Sequence, residues 1–346
     1  MRIAQVSPLY ESVPPRAYGG TERVVHYLTE ALAGLGHDVT LFASGDSRTS
    51  ARLVPIVDRA LRLHPGRPDP VIWHTLMVDR VDELCDEFDV IHFHIDALHL
   101  PLAVRCKTPS LTTLHGRLDL PDWQPLLRRF AGHPLVSISR SQREPLPRAN
   151  WAGCVHHGLP LDLYDFHPGA RDYFAFVGRI SPEKRCDRAI EIALACNMPI
   201  RIAAKVDAND RAYYDEVIEP LLDHPLVTFV GEIGDADKND FVGNARALLT
   251  PIDWPEPFGL VIIEALACGT PVIAYGHGAV PELLEDGVTG FIVRDQQEAI
   301  AAARRVGQID RRACRASFER RFSAGVMAQA YAGIYRDLVE EKAEAA

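Results

Sequence analysis

Two glutamates eight positions apart, Glu256 and Glu264, bracket an apolar run that ends at Cys268-Gly269-Thr270-Pro271. The pattern predicts a short helix over residues 259–268, stopped by a glycine with a proline just beyond. Glu256 then lies just before the helix, and Glu264 about a turn and a half inside it. A helix start offers free backbone N–H groups and the positive end of the helix dipole, which suits a phosphate. Carboxylates on either side accept hydrogen bonds from hydroxyls. Diphosphate plus hydroxyls describes a nucleotide sugar. A buried helix with one stray acid is the competing explanation. It handles Glu264 poorly, because a carboxylate among Val, Ile, Ala and Leu is costly unless partnered.

Five further clusters carry chemistry. Arg179 and Lys184 follow an apolar strand in Val177-Gly178-Arg179-Ile180-Ser181-Pro182-Glu183-Lys184. They can set two cations on a diphosphate, one as a planar fork and one as a point charge. Neutralising a leaving group in this way replaces a metal, so no metal or other cofactor is expected. Tyr18-Gly19-Gly20-Thr21-Glu22 lies between the first strand and the first helix, where paired glycines let a ligand approach the backbone. His115, in Thr113-Leu114-His115-Gly116, closes another strand and could hydrogen-bond a hydroxyl. Lys205 ends a strand at Ala203-Ala204-Lys205, either as a cation near phosphates or as a surface lysine. Gly231-Glu232-Ile233 ends a further one. His92 and His94 share a face of their strand, but no carboxylate or cysteine pattern accompanies them, so metal binding is not expected. His94 and Asp96 are carried as candidates for lining an acceptor pocket.

The stretch Glu256-Pro257-Phe258-Gly259-Leu260, with Glu264-Ala265 and Ala267-Cys268-Gly269-Thr270-Pro271-Val272, resembles the E-x7-E motif of retaining glycosyltransferases of family 4. The resemblance extends over nearly the whole chain. Tyr18 to Arg23, Thr113 to Gly116, Ser137 to Arg143 and Trp254 to Leu260 are similar to a bacterial subgroup, the avilamycin glycosyltransferase-like group. It implies the GT-B fold: two Rossmann-like α/β domains whose parallel sheets face a deep interdomain cleft. It implies a hexosyltransferase that moves a hexose, with a lean to UDP-glucose as donor. The acceptor would be a hydroxyl in glycan, polysaccharide or glycoconjugate synthesis, with retention of anomeric configuration. By the same resemblance Arg179 and Lys184 bind the donor diphosphate. Gly19 and Gly20 face the donor, and Phe258, Gly259 and Leu260 form the helix-start site. Glu264 takes the ribose hydroxyls, Glu232 and Ile233 pack on the base, and Glu256 and His115 serve the reacting sugar. Many family members have Gly-x-Gly where this chain has Ala203-Ala204-Lys205, which leaves the role of Lys205 open.

The elements that must position these groups follow from length and pattern. A chain of 346 residues, 47% hydrophobic and 24% charged, holds two globular domains. No apolar run approaches the roughly 20 residues of a membrane span. The N-terminus reads as a strand rather than a signal peptide. The seven cysteines show no metal-ligand spacing, as expected of reduced thiols in a cytoplasmic protein. The net charge of −10 argues against a nucleic-acid partner. Residues 105–148 depart from that balance, with eight basic residues against Asp119, Asp122 and Glu144. They form either a solvated basic face or a site for an anionic or membrane-bound acceptor at the inner membrane face.

Short apolar strands are predicted at 2–7, 38–43, 90–93, 110–114, 135–138, 173–178, 199–204, 227–230, 247–250 and 271–274. The first helix is expected over 21–35 with Thr21 as its cap, and another over 186–196. Strands alternating with helices imply parallel sheets with ligands at the strands' carboxyl ends. The expected domains are 1–162 for the acceptor and 170–325 for the donor, with a last helix at 326–346 crossing back to the first.

Rival classes lack their signatures. No Gly-x-Gly-x-x-Gly follows the first strand, since Gly276-His277-Gly278 lacks the third glycine. The phosphate loop of a P-loop kinase is missing too. A glycogen-phosphorylase-like enzyme would need a pyridoxal lysine and a longer chain. A nucleotide-sugar epimerase and a non-catalytic sugar-nucleotide binder are the remaining alternatives. An epimerase needs no acceptor, and a binder needs neither both glutamates nor His115.

Overall fold

The structure, a computed structural model, describes residues 1–16 and 19–344. It divides into two units, one of residues 1–160 with 323–346 and one of residues 161–322. The first unit contains β1 (Arg2–Val6), β2 (Asp38–Ala43), β3 (Arg52–Pro55), β4 (Val90–Phe93), β5 (Ser110–Leu114), β6 (Leu135–Ser137) and β7 (Trp151–Cys154). The second contains β8 (Phe174–Ile180), β9 (Ile200–Val206), β10 (Val227–Gly231), β11 (Ala247–Thr250), β12 (Val272–Tyr275) and β13 (Gly290–Val293).

The first sheet runs β3-β2-β1-β4-β5-β6-β7 and the second β10-β9-β8-β11-β12-β13. Their strand pairs are parallel. Each sheet winds outward both ways from its first strand, the Rossmann order. The switch points fall between β1 and β4 and between β8 and β11, and at such points ligands of parallel sheets bind outside the strands' carboxyl ends. Central strands are covered on both faces, so β4, β5, β11 and β12 are buried along their whole length.

Three strands lie outside the sequence expectation, and all three sit at sheet edges. β3 buries only Val54 and ends at Pro55, while β7 buries none of its residues fully. β13 begins at Gly290, where a Cβ would stand 2.0 Å from the Val272 oxygen. With so little burial on β3 and β7, and a glycine demanded by close strand packing on β13, the apolar signal is weak.

The first helix spans Gly20–Gly34 and its cap is Gly19, so Thr21 lies in the first turn and does not cap it. Gly19 packs tightly: an added Cβ would lie 2.7 Å from Pro15 and 3.2 Å from Glu11. The last helix, Ala324–Glu344, belongs to the first unit. Its Tyr331 and Tyr335 are almost fully buried, and their hydroxyls bond Thr113 of β5 and His92 of β4. No helix among the described residues is long and apolar enough to cross a membrane.

Candidate active site

In the second unit the carboxyl end of β8 delivers Arg179, and the loop after it delivers Lys184. The loop after β11 carries Glu256. Asp253 N donates to Glu183 O at 2.9 Å and ties the two loops together. Lys184 Nζ reaches Glu256 Oε2 at 2.6 Å, joining two of the sequence candidates directly. It also stands 5.9 Å from the ring centre of Trp254. The Glu256 backbone is clamped from a third loop, where Ala279 N donates to Glu256 O at 2.9 Å. Neighbouring Gly278, with φ of 57°, would place a Cβ 2.3 Å from that same oxygen. Gly278 is therefore a site-building residue that sequence reasoning missed. Its visible signal was its place just past β12, at a strand's carboxyl end.

Arg179 does not join the Lys184–Glu256 pair. Its guanidinium contacts Glu183 at 2.5 Å and Asp210 at 3.2 Å, two acids that sequence reading did not assign. Burial would raise the Glu183 carboxyl, but backbone and side-chain hydrogen bonds, with Arg179 among the partners, outweigh it and hold the carboxyl below its ordinary value. Lys205 lies opposite Arg179 in the β8–β9 register and pairs with Asp207 at 2.9 Å. The cations that could meet a diphosphate thus all wait on carboxylates.

Glu264 sits in the helix Leu260–Ala267, capped by Gly259 at φ of 102°. That positive φ is a reason for glycine at the cap. The helix closes at Gly269, where Gly269 N and Thr270 N bond Leu266 O and Ala265 O. Glu264 is 4% exposed, and its partner is Lys238 at 3.0 Å, on the helix Asp235–Gly243. That helix follows Gly231, Glu232 and Ile233, so the loop assigned to the base and the glutamate assigned to the ribose are joined through Lys238. Glu232 is exposed and Ile233 half-buried. Phe258 is buried edge-on against Phe322 and acts as an anchor for the loop, while Gly259 and Leu260 are half-buried.

In the first unit His94 follows β4 and His115 follows β5. His115 Nε2 meets His94 Nδ1 at 2.9 Å, and His94 Nε2 meets Gln5 Oε1 at 2.9 Å. Both nitrogens of His94 are therefore spent, and its ring is buried, so His94 has no nitrogen left to line an acceptor pocket. Asp96 is exposed, with φ of 54°. His115 Nδ1 is buried and has no hydrogen-bond partner. Burial pushes the His115 imidazole down to about 3, and burial holds His94 well below the ordinary histidine range. Both rings are neutral at physiological pH. Gly19 is buried and Gly20 exposed at the first helix start, and Tyr18 of the same segment lies outside the described residues.

Two doubly wound units, each with its loops at the carboxyl ends of a parallel sheet, are the architecture of the two-domain Rossmann-like, or GT-B, glycosyltransferases. The chain belongs to glycosyltransferase family 4: the model of the glycosyl transferases group 1 matches residues 166–310, and that of Glycosyltransferase Family 4 matches residues 18–175. It is therefore a transferase of the glycosyl-transferring class. It is 34% identical to the D-inositol 3-phosphate glycosyltransferase of Mycolicibacterium smegmatis over 46% of this chain, a match spanning only 38% of that relative. Against the phosphatidyl-myo-inositol mannosyltransferase of the same organism it is 27% identical over 88% of this chain and 83% of the other. A solved glycosyltransferase involved in avilamycin A biosynthesis superposes with a TM-score of 0.76 at 24% identity, covering 98% of each chain. Anabaena HepE, solved with UDP-glucose, superposes with a TM-score of 0.70 at 18% identity over 97% of this chain and 100% of its own.

Proposed function

We propose that the chain transfers a hexose from a UDP-sugar, with UDP-glucose the favoured donor, to a hydroxyl acceptor with retention of configuration. The observation that carries this reading is the contact of Lys184 with Glu256, which sets a phosphate-binding cation beside a hydroxyl-binding carboxylate at a β8/β11 switch point. HepE binding UDP-glucose supports the choice of donor.

In this reading the diphosphate takes Lys184 and Arg179 from their carboxylates and sits near the start of the helix at Gly259. The two cations neutralise the departing UDP, a task that elsewhere falls to a metal. Glu256, released from Lys184, accepts hydrogen bonds from the sugar hydroxyls. Glu264, oriented by Lys238, takes the ribose, and Gly231 to Ile233 flank the uracil. Gly19 and Gly20 leave room for the donor. His115, neutral and with Nδ1 unspent, bonds a hydroxyl of the transferred sugar. As the bond from the sugar's anomeric carbon to UDP breaks, an oxocarbenium-like centre forms, and the acceptor oxygen attacks the face the leaving group has left, its proton passing to the departing diphosphate.

Seven unpaired cysteines support a reducing, cytoplasmic setting. Arg105, Lys107, Arg128, Arg129, Arg140 and Arg148 are exposed, which supports loose attachment to an anionic membrane that presents the acceptor. The test is transfer from UDP-glucose over a panel of hydroxyl acceptors in EDTA, with the anomer of the product read by NMR. An α-linked product that disappears in Glu256→Ala supports the reading. Conversion of the donor to another sugar nucleotide without acceptor would replace it with an epimerase.

A further inference from the structure

His115, with its Nδ1 unpartnered, is the terminal member of a longer line of hydrogen bonds. Gln5 Oε1 faces His94 Nε2, and Gln5 Nε2 donates to the Tyr335 hydroxyl at 3.0 Å. The Tyr335 hydroxyl lies 2.7 Å from His92 Nδ1, and His92 Nε2 lies 2.7 Å from Thr113 Oγ1. Thr113 Oγ1 meets the Tyr331 hydroxyl at 2.8 Å. Gln5, His92, His94, Thr113, Tyr331 and Tyr335 are all at most 2% exposed.

Only one member has fixed donor and acceptor ends. An amide oxygen accepts and an amide nitrogen donates, whereas imidazoles and hydroxyls adopt either role. Because Gln5 Oε1 accepts, His94 carries its proton on Nε2 and leaves Nδ1 as an acceptor. His115 must then donate to His94 from Nε2, which leaves a lone pair on His115 Nδ1. On the other side Gln5 Nε2 donates to Tyr335, so Tyr335 donates onward to His92 Nδ1 and His92 donates from Nε2 to Thr113. Turning the amide over would reverse every one of these bonds and put the His115 proton on Nδ1.

We propose that Gln5 and Tyr335 are positioning residues for His115. The Gln5 amide, with Oε1 toward His94 and Nε2 toward the Tyr335 hydroxyl, sets the direction of the chain and presents His115 Nδ1 as a hydrogen-bond acceptor for a substrate hydroxyl. The substrate role of Nδ1 rests on the function proposed above; the tautomer does not. Tyr335 lies 330 positions from Gln5, so the last helix of the chain contributes to the chemistry of a side chain at the end of β5.

Long-range proton–nitrogen NMR of the full chain with 15N-labelled histidine tests this, with the His115 signals assigned by their loss in His115→Gln. The expected native pattern is a protonated Nε2 and a bare Nδ1 at His115. In Gln5→Leu and Tyr335→Phe the His115 signals should move toward the other tautomer. Transfer kcat should fall about tenfold, the loss of one well-placed hydrogen bond, while UDP affinity stays within about twofold. A native His115 protonated on Nδ1 overturns the proposal. So does an unchanged His115 tautomer in Gln5→Leu, which decides alone if Tyr335→Phe fails to fold. Full transfer by His115→Gln would sink the substrate role and leave the tautomer measurement standing.

Discussion

The two units place different chemistry at matching ends of similar sheets. At the carboxyl ends of β1, β4 and β5 the buried hydrogen-bonded set is neutral: Gln5, His94 and His115 bond one another without a formal charge. At the carboxyl ends of β8, β9 and β11 the set is ionic: Lys184 with Glu256, Arg179 with Glu183 and Asp210, Lys205 with Asp207. A neutral, buried set discriminates hydroxyls by donor and acceptor geometry. An ionic set holds cations ready for a diphosphate and satisfies them while none is bound. On the proposed reading, the same fold order thus serves hydroxyl recognition in one unit and phosphate recognition in the other.

The comparison can be broken at its buried ion pair first. Lys238→Met leaves Glu264 buried without a cation, and loss of one partner of such a pair destabilises by about 3–5 kcal/mol. A thermal-unfolding midpoint unchanged from native would mean that Glu264 is solvated. Next in size, Glu256→Ala should lower transfer at least about a hundredfold, as removal of a group serving the transition state does. UDP binding should largely survive, and near-normal turnover would remove Glu256 from the site.

Acid should separate the units further. His115 and His133 are held at about 3 and about 4 by burial, and burial holds His92, His94, His99 and His157 well below their ordinary values. Between those values and about 6.5 the unfolded chain binds protons that the folded unit refuses, so stability falls as pH falls. His115 and His133 each account for about 2 kcal/mol between pH 8 and pH 5. Hydrogen exchange at pH 5 should show the first unit opening preferentially. Equal protection of both units would contradict the neutral character assigned to these rings.

Much of the second unit's site was legible in sequence because its members are close along the chain. Arg179 and Lys184 lie on one strand end and the loop after it, and Glu256 and Glu264 on one loop and the helix it leads into, where spacing limits geometry. The need of Glu264 for a partner was legible too, but Lys238 was not, since it arrives from a separate helix 26 positions away. In the first unit the alternation His92-Phe93-His94 marked a shared strand face, and the rings indeed lie 4.0 Å apart. Nothing local connected them to Gln5 or to Tyr335, because parallel sheets bring distant segments together by topology. The central strands showed as apolar runs, whereas edges such as β3 and β7 bury too little to leave one.

The most direct measurement is UDP affinity, by calorimetry, in the native chain, Lys184→Ala and His115→Gln. The division of labour requires that Lys184→Ala weaken UDP about tenfold or more, the loss of a charge-assisted hydrogen bond, and that His115→Gln leave it unchanged. Equal UDP affinity in the native chain and Lys184→Ala, or a loss in His115→Gln alone, would contradict it.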